Sequence, residues 1–410
     1  MEKVILVGLN YKLDIDIETS LKELTALAKA CNLDVIGSIT QNLERPNAKF
    51  YVGKGKVSEI KNACELHEAK VVVFNDELSP SHIRNLEEEL ECKVIDRTIL
   101  ILDIFASRAK SREAMLQVEI AQLKYMLPRL IGMSKSLNRQ QGGVGSKGPG
   151  EKKLEMDRRR IESQVSKLNK ELKEVVRNRE VSRKRRKEGK VVALVGYTNA
   201  GKSSFMNALL EENPDKKVLE KDMLFATLET STRKVLTANN QSFLLTDTVG
   251  FVHKLPHHLV NAFKSTLEEV CEADLLIHMV DIANENYAHQ VKVTNEVLGS
   301  IGAGDIEMIY ALNKVDLCDD QVYNIDGISI SCKTNYGIEE LIDEVESKLW
   351  KLNEYNLLIP FDKMSAYNSL KQETNVISEE YVEEGCLIKV ILNEKQLGIY
   401  NRYQQKEKAE

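Results

Sequence analysis

Over the first hundred residues, apolar positions come in short β-branched runs separated by stretches with helical spacing. Val4–Leu9 (VILVGL), Asp34–Thr40 (DVIGSIT), Val71–Asn75 (VVVFN) and Cys92–Asp96 (CKVID) read as strands. Leu21–Cys31, Val57–Leu66 and Ser81–Leu90 read as helices. Such alternation predicts a small parallel α/β sheet. The period then changes. Leu116, Ile120, Leu123, Leu127 and Leu130 alternate spacings of four and three, as do Ile161, Val165, Leu168, Leu172 and Val175. Two narrow seams predict an antiparallel helical hairpin, with Pro128 ending or kinking its first helix near the tip. From Val191 to about Lys351 the β-α alternation resumes. The tail, with LLIPFD and the alternating Cys386–Leu392, reads as a small α/β appendage without recognisable chemistry. The expected organisation is a multidomain α/β protein. Residues 1–112 form an N-terminal parallel domain, 113–188 a hairpin, 189–352 a doubly wound domain and 353–410 a small C-terminal domain.

At 410 residues the chain suits two to three domains at roughly 150 residues each. It is 42% hydrophobic and 29% charged, as folded chains with ordinary cores are. No apolar run approaches the roughly 18–20 residues of a membrane span, and the first ten residues show no secretory pattern. Seven cysteines, scattered and never paired as CxxC, argue against a disulfide framework or a structural zinc site and fit a reducing cytoplasm.

Charge adds an asymmetry. The net charge is −6, yet Lys147–Lys190 holds 17 Lys/Arg against 8 Asp/Glu, so the rest of the chain carries −15. A basic run is commonly a solvated helix face. Here it adjoins Ile131–Gly150, which contains six glycines, Lys135, Arg139 and Lys147, and no acid. A long connection of this kind tends to be functional, and glycine lets backbone approach phosphate closely. A basic, glycine-rich tip on a basic hairpin is expected to contact a polyanion such as RNA. Tyr51–Lys56 (YVGKGK) reads either as a tight turn with solvated lysines or as an anion contact. Gly143–Gly148 fits GxGxxG, but no strand precedes it, so it is not a dinucleotide fingerprint.

The chemistry is concentrated after Val191. VVALVGYTNAGKSS is a strand, then GxxxxGKS, then a helix-like FMNALL. Gly196 and Gly201 permit a loop, with Tyr197, Thr198, Asn199 and Ala200 between them, whose backbone N–H groups converge on phosphates. Lys202 is expected to reach the β- and γ-phosphates and Ser203 to ligate Mg²⁺. In Phe243–Phe251 (FLLTDTVGF), Asp247 is expected to hold Mg²⁺ through water. Thr248 and Val249 lead to Gly250, whose amide would sense the γ-phosphate. Between these motifs, Phe225, Ala226, Thr227, Leu228 and Glu229 form a candidate switch segment. Thr227 is the expected Mg²⁺ hydroxyl; Thr230 and Thr232 are alternatives.

Asn313, Lys314, Val315 and Asp316 (NKVD) read the base. The Asp316 carboxylate can accept from guanine N1–H and the 2-amino group, which adenine cannot match. Asn313 is expected to brace the loop and the Lys314 stem to pack on the base. Ser331, Cys332 and Lys333 follow, with the Cys332 and Lys333 amides as donors to guanine O6. Four motifs in this order point to GTP/GDP with Mg²⁺.

Phe251 stands where signalling GTPases place a water-orienting glutamine, so basal hydrolysis is expected to be slow. Asn199 either offers its side-chain oxygen to a monovalent cation such as K⁺ beside the phosphates or simply stabilises the loop. His253, His257 and His258 read as solvated, with water positioning as the alternative.

These motifs together resemble the HflX family of GTPases within the Obg–HflX superfamily. The resemblance rests on GYTNAGKS, FATLE, DTVGF with a following LP, FKSTLEE (Phe263–Glu269), NKVD and SCKT. Upstream it extends to RPNAKFYVGKGK, VVVFNDELSPSHIRNLEEEL, VIDRTILILDIFASRAKSREAMLQVEIAQLKYMLPRL and GGVGSKGPGEKKLEMDRRRI. It covers about Leu21 to Leu349. Departures are small: Ser204 stands where threonine is usual, Glu229 where aspartate is, and Cys332 where alanine is. The resemblance implies a GTPase, expected to be monomeric, that binds the 50S subunit and 23S rRNA. It further implies splitting or recycling of 70S ribosomes under stress, with ribosome-stimulated hydrolysis. Two alternatives stay open: an ATP-dependent RNA-remodelling enzyme acting through the N-terminal domain, and a regulatory switch that recruits a protein partner.

Overall fold

The computed structural model describes residues 1–11, 16–137, 149–184, 189–209, 225, 231–237, 239, 241–254, 269–318, 324–351, 353–374 and 376–404. The chain divides into two units. One comprises Met1–Arg186 together with Glu220–Glu229 and Val249–Leu267. The other comprises Lys187–Leu219, Thr230–Thr248 and Glu268–Glu410.

In the first unit, β1 (Glu2–Asn10), β2 (Leu33–Asn42), β3 (Val71–Phe74) and β4 (Lys93–Asp96) form a wholly parallel sheet in the order β2-β1-β3-β4. Helices α1 (Ile17–Ala30), α2 (Lys54–His67), α3 (Pro80–Leu90) and α4 (Arg97–Arg108) cover it. β1 is apolar nearly throughout because both of its faces are buried. Val4 and Leu6 join a core with α1 and α4, while Ile5, Val7 and Leu9 join another with α2 and α3. Tyr51–Lys56 proves to be the turn entering α2, with Lys56 paired to Glu59 at 2.7 Å.

The hairpin is α5 (Arg112–Leu137) and α6 (Pro149–Lys184). Leu116, Ile120 and Leu123 of one seam pack on Val165, Leu168, Leu172 and Val175 of the other. Arg112 bonds Glu171 and Gln164 bonds Glu119, so the two helices run antiparallel. Pro128 does not end α5, which runs nine residues beyond it to Leu137. Pro128 lies on an exposed face, as does Lys124, whose carbonyl loses its partner and can turn to water instead. The connection therefore shortens, since residues 131–137 are helical. Arg139 and Lys147 lie outside the described residues.

In the second unit, β5 (Lys190–Gly196), β6 (Ser231–Leu236), β7 (Ser242–Asp247), β8 (Leu275–Asp281), β9 (Met308–Asn313) and β10 (Ile328–Ser329) are ordered β10-β9-β8-β5-β7-β6. Only the β6–β7 pair among them is antiparallel. Helices α7 (Lys202–Ala208), α8 (Tyr287–Ile301) and α9 (Ile338–Trp350) follow their strands as in a doubly wound sheet. The tail makes its own antiparallel sheet, β11 (Asn353–Ile359), β13 (Gly385–Leu392) and β12 (Val376–Val382) in that order. Helices α10 (Met364–Glu373) and α11 (Glu394–Tyr400) close a core around Leu357, Leu370 and Ile388. Among the described residues no helix is long and apolar enough to cross a membrane.

Candidate nucleotide-binding site

β5 lies between β7 and β8, and the loop leaving its C-terminal end leads into α7. That is where an open parallel sheet places phosphate ligands. Two glycines shape the loop. Gly196 has φ +143°, and a Cβ there would stand 2.4 Å from the Met279 carbonyl oxygen. Gly201 has φ +96°, and a Cβ would stand 2.1 Å from Asn313 Nδ2. Asn199 also takes a left-handed φ, +63°, and is exposed. Thr198 and Ala200 are buried beneath it, and Tyr197 is buried as well.

Lys202 is buried, and its Nζ donates to the Gly196 carbonyl at 3.1 Å and the Tyr197 carbonyl at 2.8 Å. Burial pushes its pKa down to about 8, against the upward pull of Asp247. His278 on β8 is also buried and is pushed down to about 3, by burial first and then by the Lys202 charge. It therefore stays neutral beside the loop. Ser203 Oγ donates to Asp247 Oδ2 at 2.7 Å. Thr248 Oγ1 donates to the Leu194 carbonyl at 2.6 Å and pins the end of β7 to β5.

Asn313 does the bracing expected of it. Its Nδ2 donates to the Ala200 carbonyl at 2.9 Å, and its Oδ1 accepts the Cys332 amide at 3.1 Å. The phosphate loop is thereby tied to the segment after β10. The second bond bears on one expectation: the Cys332 amide, expected as a donor to guanine O6, donates to Asn313 here. Lys314 has φ +70° and its Nζ pairs with Asp281 at 2.7 Å, so the stem is anchored at its far end. Val315 starts a short 3₁₀ turn that carries Asp316. Asp316 is exposed, and its Oδ1 accepts from Ser331 Oγ at 2.7 Å. That bond orients the carboxylate.

The candidate switch segments fall differently. Val249 and Gly250 are buried, and Val249–Leu267 belongs to the first unit. Phe225 belongs there too. Its ring, expected near the nucleotide, is instead buried in the N-terminal core with Val249 and Val252, edge-on to Phe105 at 4.7 Å. Phe251 is buried as well. Ala226, Thr227, Leu228, Glu229, Thr230, His257 and His258 lie outside the described residues. Thr232 lies on β6, where its hydroxyl is 3.1 Å from that of Thr246. Sequence reasoning missed Asp281 and His278. An acid ending an apolar strand was the available signal for Asp281; nothing marked His278.

A phosphate loop, a hydroxyl–carboxylate pair and an Asn-Lys-x-Asp base reader on one doubly wound sheet define a P-loop GTPase. Family profiles match in three consecutive blocks: "GTP-binding GTPase N-terminal" over residues 18–106, "GTP-binding GTPase Middle Region" over 108–186 and "50S ribosome-binding GTPase" over 191–314. The chain is 46% identical over 376 residues to GTPase HflX of Caldanaerobacter subterraneus subsp. tengcongensis, spanning 91% of this chain and 87% of that one. It is 38% identical over 394 residues to GTPase HflX of Escherichia coli, spanning 93% and 91%. The chain belongs to the HflX family of GTPases. Among solved structures, a GTP-binding protein from Sulfolobus solfataricus in complex with GDP aligns with 25% identity and a TM-score of 0.44, covering 85% of this chain and 98% of that one.

Proposed function

We propose that this GTPase works on the ribosome. It binds the 50S subunit, reaches 23S rRNA through the hairpin, and splits or recycles 70S particles in the stressed cytoplasm, acting as a monomer whose hydrolysis the ribosome stimulates. The observation that carries this reading is that Phe225 and the segment after DTVG pack on the first helix of the hairpin whose tip and second helix carry the basic residues. Phe225, Val249 and Val252 share a core with Val118, Ala121 and Tyr125 of α5. The description of the profile matched over 191–314 supports the same reading.

The chain's own residues account for the chemistry as follows. Lys202 turns from the two loop carbonyls to the β- and γ-phosphates of GTP, exchanging neutral acceptors for charged ones. Backbone amides from Gly196 to Ser203 cradle the phosphates. Ser203 and Asp247, with Thr227, would hold Mg²⁺; a hydroxyl and a carboxylate 2.7 Å apart are the hard oxygen donors that ion prefers. When bound, it would supply positive charge that offsets that of the phosphates. Asn199 is the candidate ligand for K⁺. Asp316, Lys314 and the Lys333 amide select guanine. Thr227 and the Gly250 amide report the γ-phosphate.

Phe251 cannot hydrogen-bond the attacking water, so the orienting group comes from the ribosome. Sedimentation of the chain with large subunits and a non-hydrolysable GTP analogue tests this. Co-sedimentation and a rise in turnover of about tenfold or more on adding subunits are expected. Equal rates with and without subunits would defeat the proposal. Deleting residues 135–147 should abolish subunit binding while leaving basal turnover in place.

A further inference from the structure

Two acidic residues at one edge of the N-terminal sheet hold elements far apart in sequence. The order β2-β1-β3-β4 puts the turns after β3 and β4 side by side at the C-terminal end of the sheet. Asp76 leaves β3 there, and Asp96 ends β4. The Asp76 side chain is 8% exposed and accepts from Lys254 Nζ at 2.5 Å. Lys254 lies four residues after Gly250, in a left-handed conformation at φ +55°. Asp96 is fully buried. Its Oδ1 accepts the Ile99 amide at 3.1 Å and so caps α4. Its Oδ2 accepts the Leu78 amide at 3.0 Å, the Tyr125 hydroxyl and Arg129 Nη2 at 2.9 Å. The Arg129 guanidinium also lies over the Tyr125 ring, 3.4 Å from its centroid. Tyr125 and Arg129 belong to α5, the first arm of the hairpin.

A continuous line of bonds thus runs from the segment after DTVG to the hairpin: Lys254, Asp76, the short turn to Leu78, Asp96, then Tyr125 and Arg129. Every link lies within the first unit. Buried ion pairs add little net stability over apolar packing, yet losing one partner leaves an uncompensated charge that forces its surroundings to move. That property suits an element with two discrete states. Capture of a γ-phosphate by the Gly250 amide would act on a segment fixed at Val252 in the N-terminal core and, two residues on, at Lys254. The Lys254–Asp76 pair would carry that movement to the turn after β3.

We propose that the Lys254–Asp76 pair and the Asp96–Tyr125–Arg129 junction form the path that passes the state of the γ-phosphate site to the hairpin. Lys254 and Asp76 are positioning residues in this scheme and touch no reacting atom. The proposal deepens the reading above by naming how the same site is regulated. It concerns motion within the chain, so it can fail or hold whether or not ribosomes are the partner.

The test uses the full chain without ribosomes. Amide hydrogen exchange of α5 near Tyr125 and of the 75–78 turn is compared with GDP and with a non-hydrolysable GTP analogue. In the wild type the two nucleotides should differ by about fivefold or more in α5. Lys254→Met should abolish that difference while the chain with GDP bound still melts in one cooperative transition, at a lower temperature. The exchanged pair Lys254→Asp with Asp76→Lys should restore it, which an effect of lost side-chain packing alone would not allow. Asp76→Asn is a second route to the same loss if Lys254→Met folds poorly. A wild-type α5 indifferent to nucleotide, or a Lys254→Met chain that keeps the full difference, overturns the path. Subunit sedimentation is run alongside on the same proteins. If it fails while the exchange result holds, the ribosome reading falls and the path stands.

Discussion

The buried amine of Lys202 makes nucleotide binding a proton-linked event. Without nucleotide its pKa lies at about 8, because burial disfavours the ammonium and two carbonyls compensate for only part of the lost hydration. A triphosphate or diphosphate within contact distance favours the ammonium and should raise the pKa above its ordinary 10.5. Nucleotide then binds the protonated form, and affinity falls as pH rises past the free value. With a free pKa of 8, about a tenth of a proton is taken up on binding at pH 7, half at pH 8 and nine-tenths at pH 9. The dissociation constant for GDP should weaken about tenfold between pH 7 and pH 9, or about 1.4 kcal/mol. The nucleotide-free chain behaves in the opposite sense. The unfolded lysine binds more protons than the folded one between pH 8 and 10.5, so stability rises across that window. Calorimetric titration of GDP in two buffers of different ionisation enthalpy measures the uptake directly. Lys202→Arg is the control, since a guanidinium keeps its proton throughout and should flatten the slope from this source. Uptake below about 0.1 proton at pH 8, or an equal slope in Lys202→Arg, would refute the reasoning.

Three further outcomes follow from single contacts. Asn313→Ala removes both bonds that tie the phosphate loop to the segment after β10 and strands a buried carbonyl and an amide, at about 1–3 kcal/mol each; GDP binding, followed with a fluorescent analogue, should weaken by about tenfold to a hundredfold. Asp316→Asn replaces the acceptor for guanine N1–H and the 2-amino group while keeping its shape; GDP affinity should fall by about 1.5–3 kcal/mol, and that of the xanthosine diphosphate should rise in competition assays. Phe251→Gln restores the side chain that signalling GTPases use, but at a buried position; a chemical melt should show a loss of about 2–4 kcal/mol and single-turnover assays no gain in basal hydrolysis.

What the sequence showed plainly was whatever is local. Period-two and period-three-and-four patterns place β1–β4, α1–α3 and the hairpin seams, because each depends on neighbours within one or two turns. GxxxxGKS and NKVD carry their own geometry: the glycines meet backbone or Asn313 whichever sheet surrounds them. Two departures and one contact that the sequence does not signal have a common cause in tertiary context. Pro128 reads as a stop or a kink, and it is not a stop: on the exposed face of a helix packed along its opposite side the lost bond is left to water. Cys332 reads as a free donor until Asn313 folds back onto it. Lys254 and Asp76 are 178 residues apart, and no periodicity can pair them.

Phe225, Val249 and Val252 show how such a pairing could still be suspected. A segment that only needed to open and close around a phosphate would be polar and glycine-rich, because exposed apolar side chains gain nothing in water. Here the switch segments carry a phenylalanine and two valines that end up buried against Phe105 and its neighbours. Burying a phenylalanine contributes about 1.5–3 kcal/mol, and its edge-on partner about 0.5–1.5 more. Energies of this size match those needed to shift a two-state equilibrium by one to three orders of magnitude. The apolar residues of the switches therefore have a definite physical meaning. On the function proposed above, nucleotide-driven movement of these segments is balanced against burial in the N-terminal core, which would make that domain part of the switch.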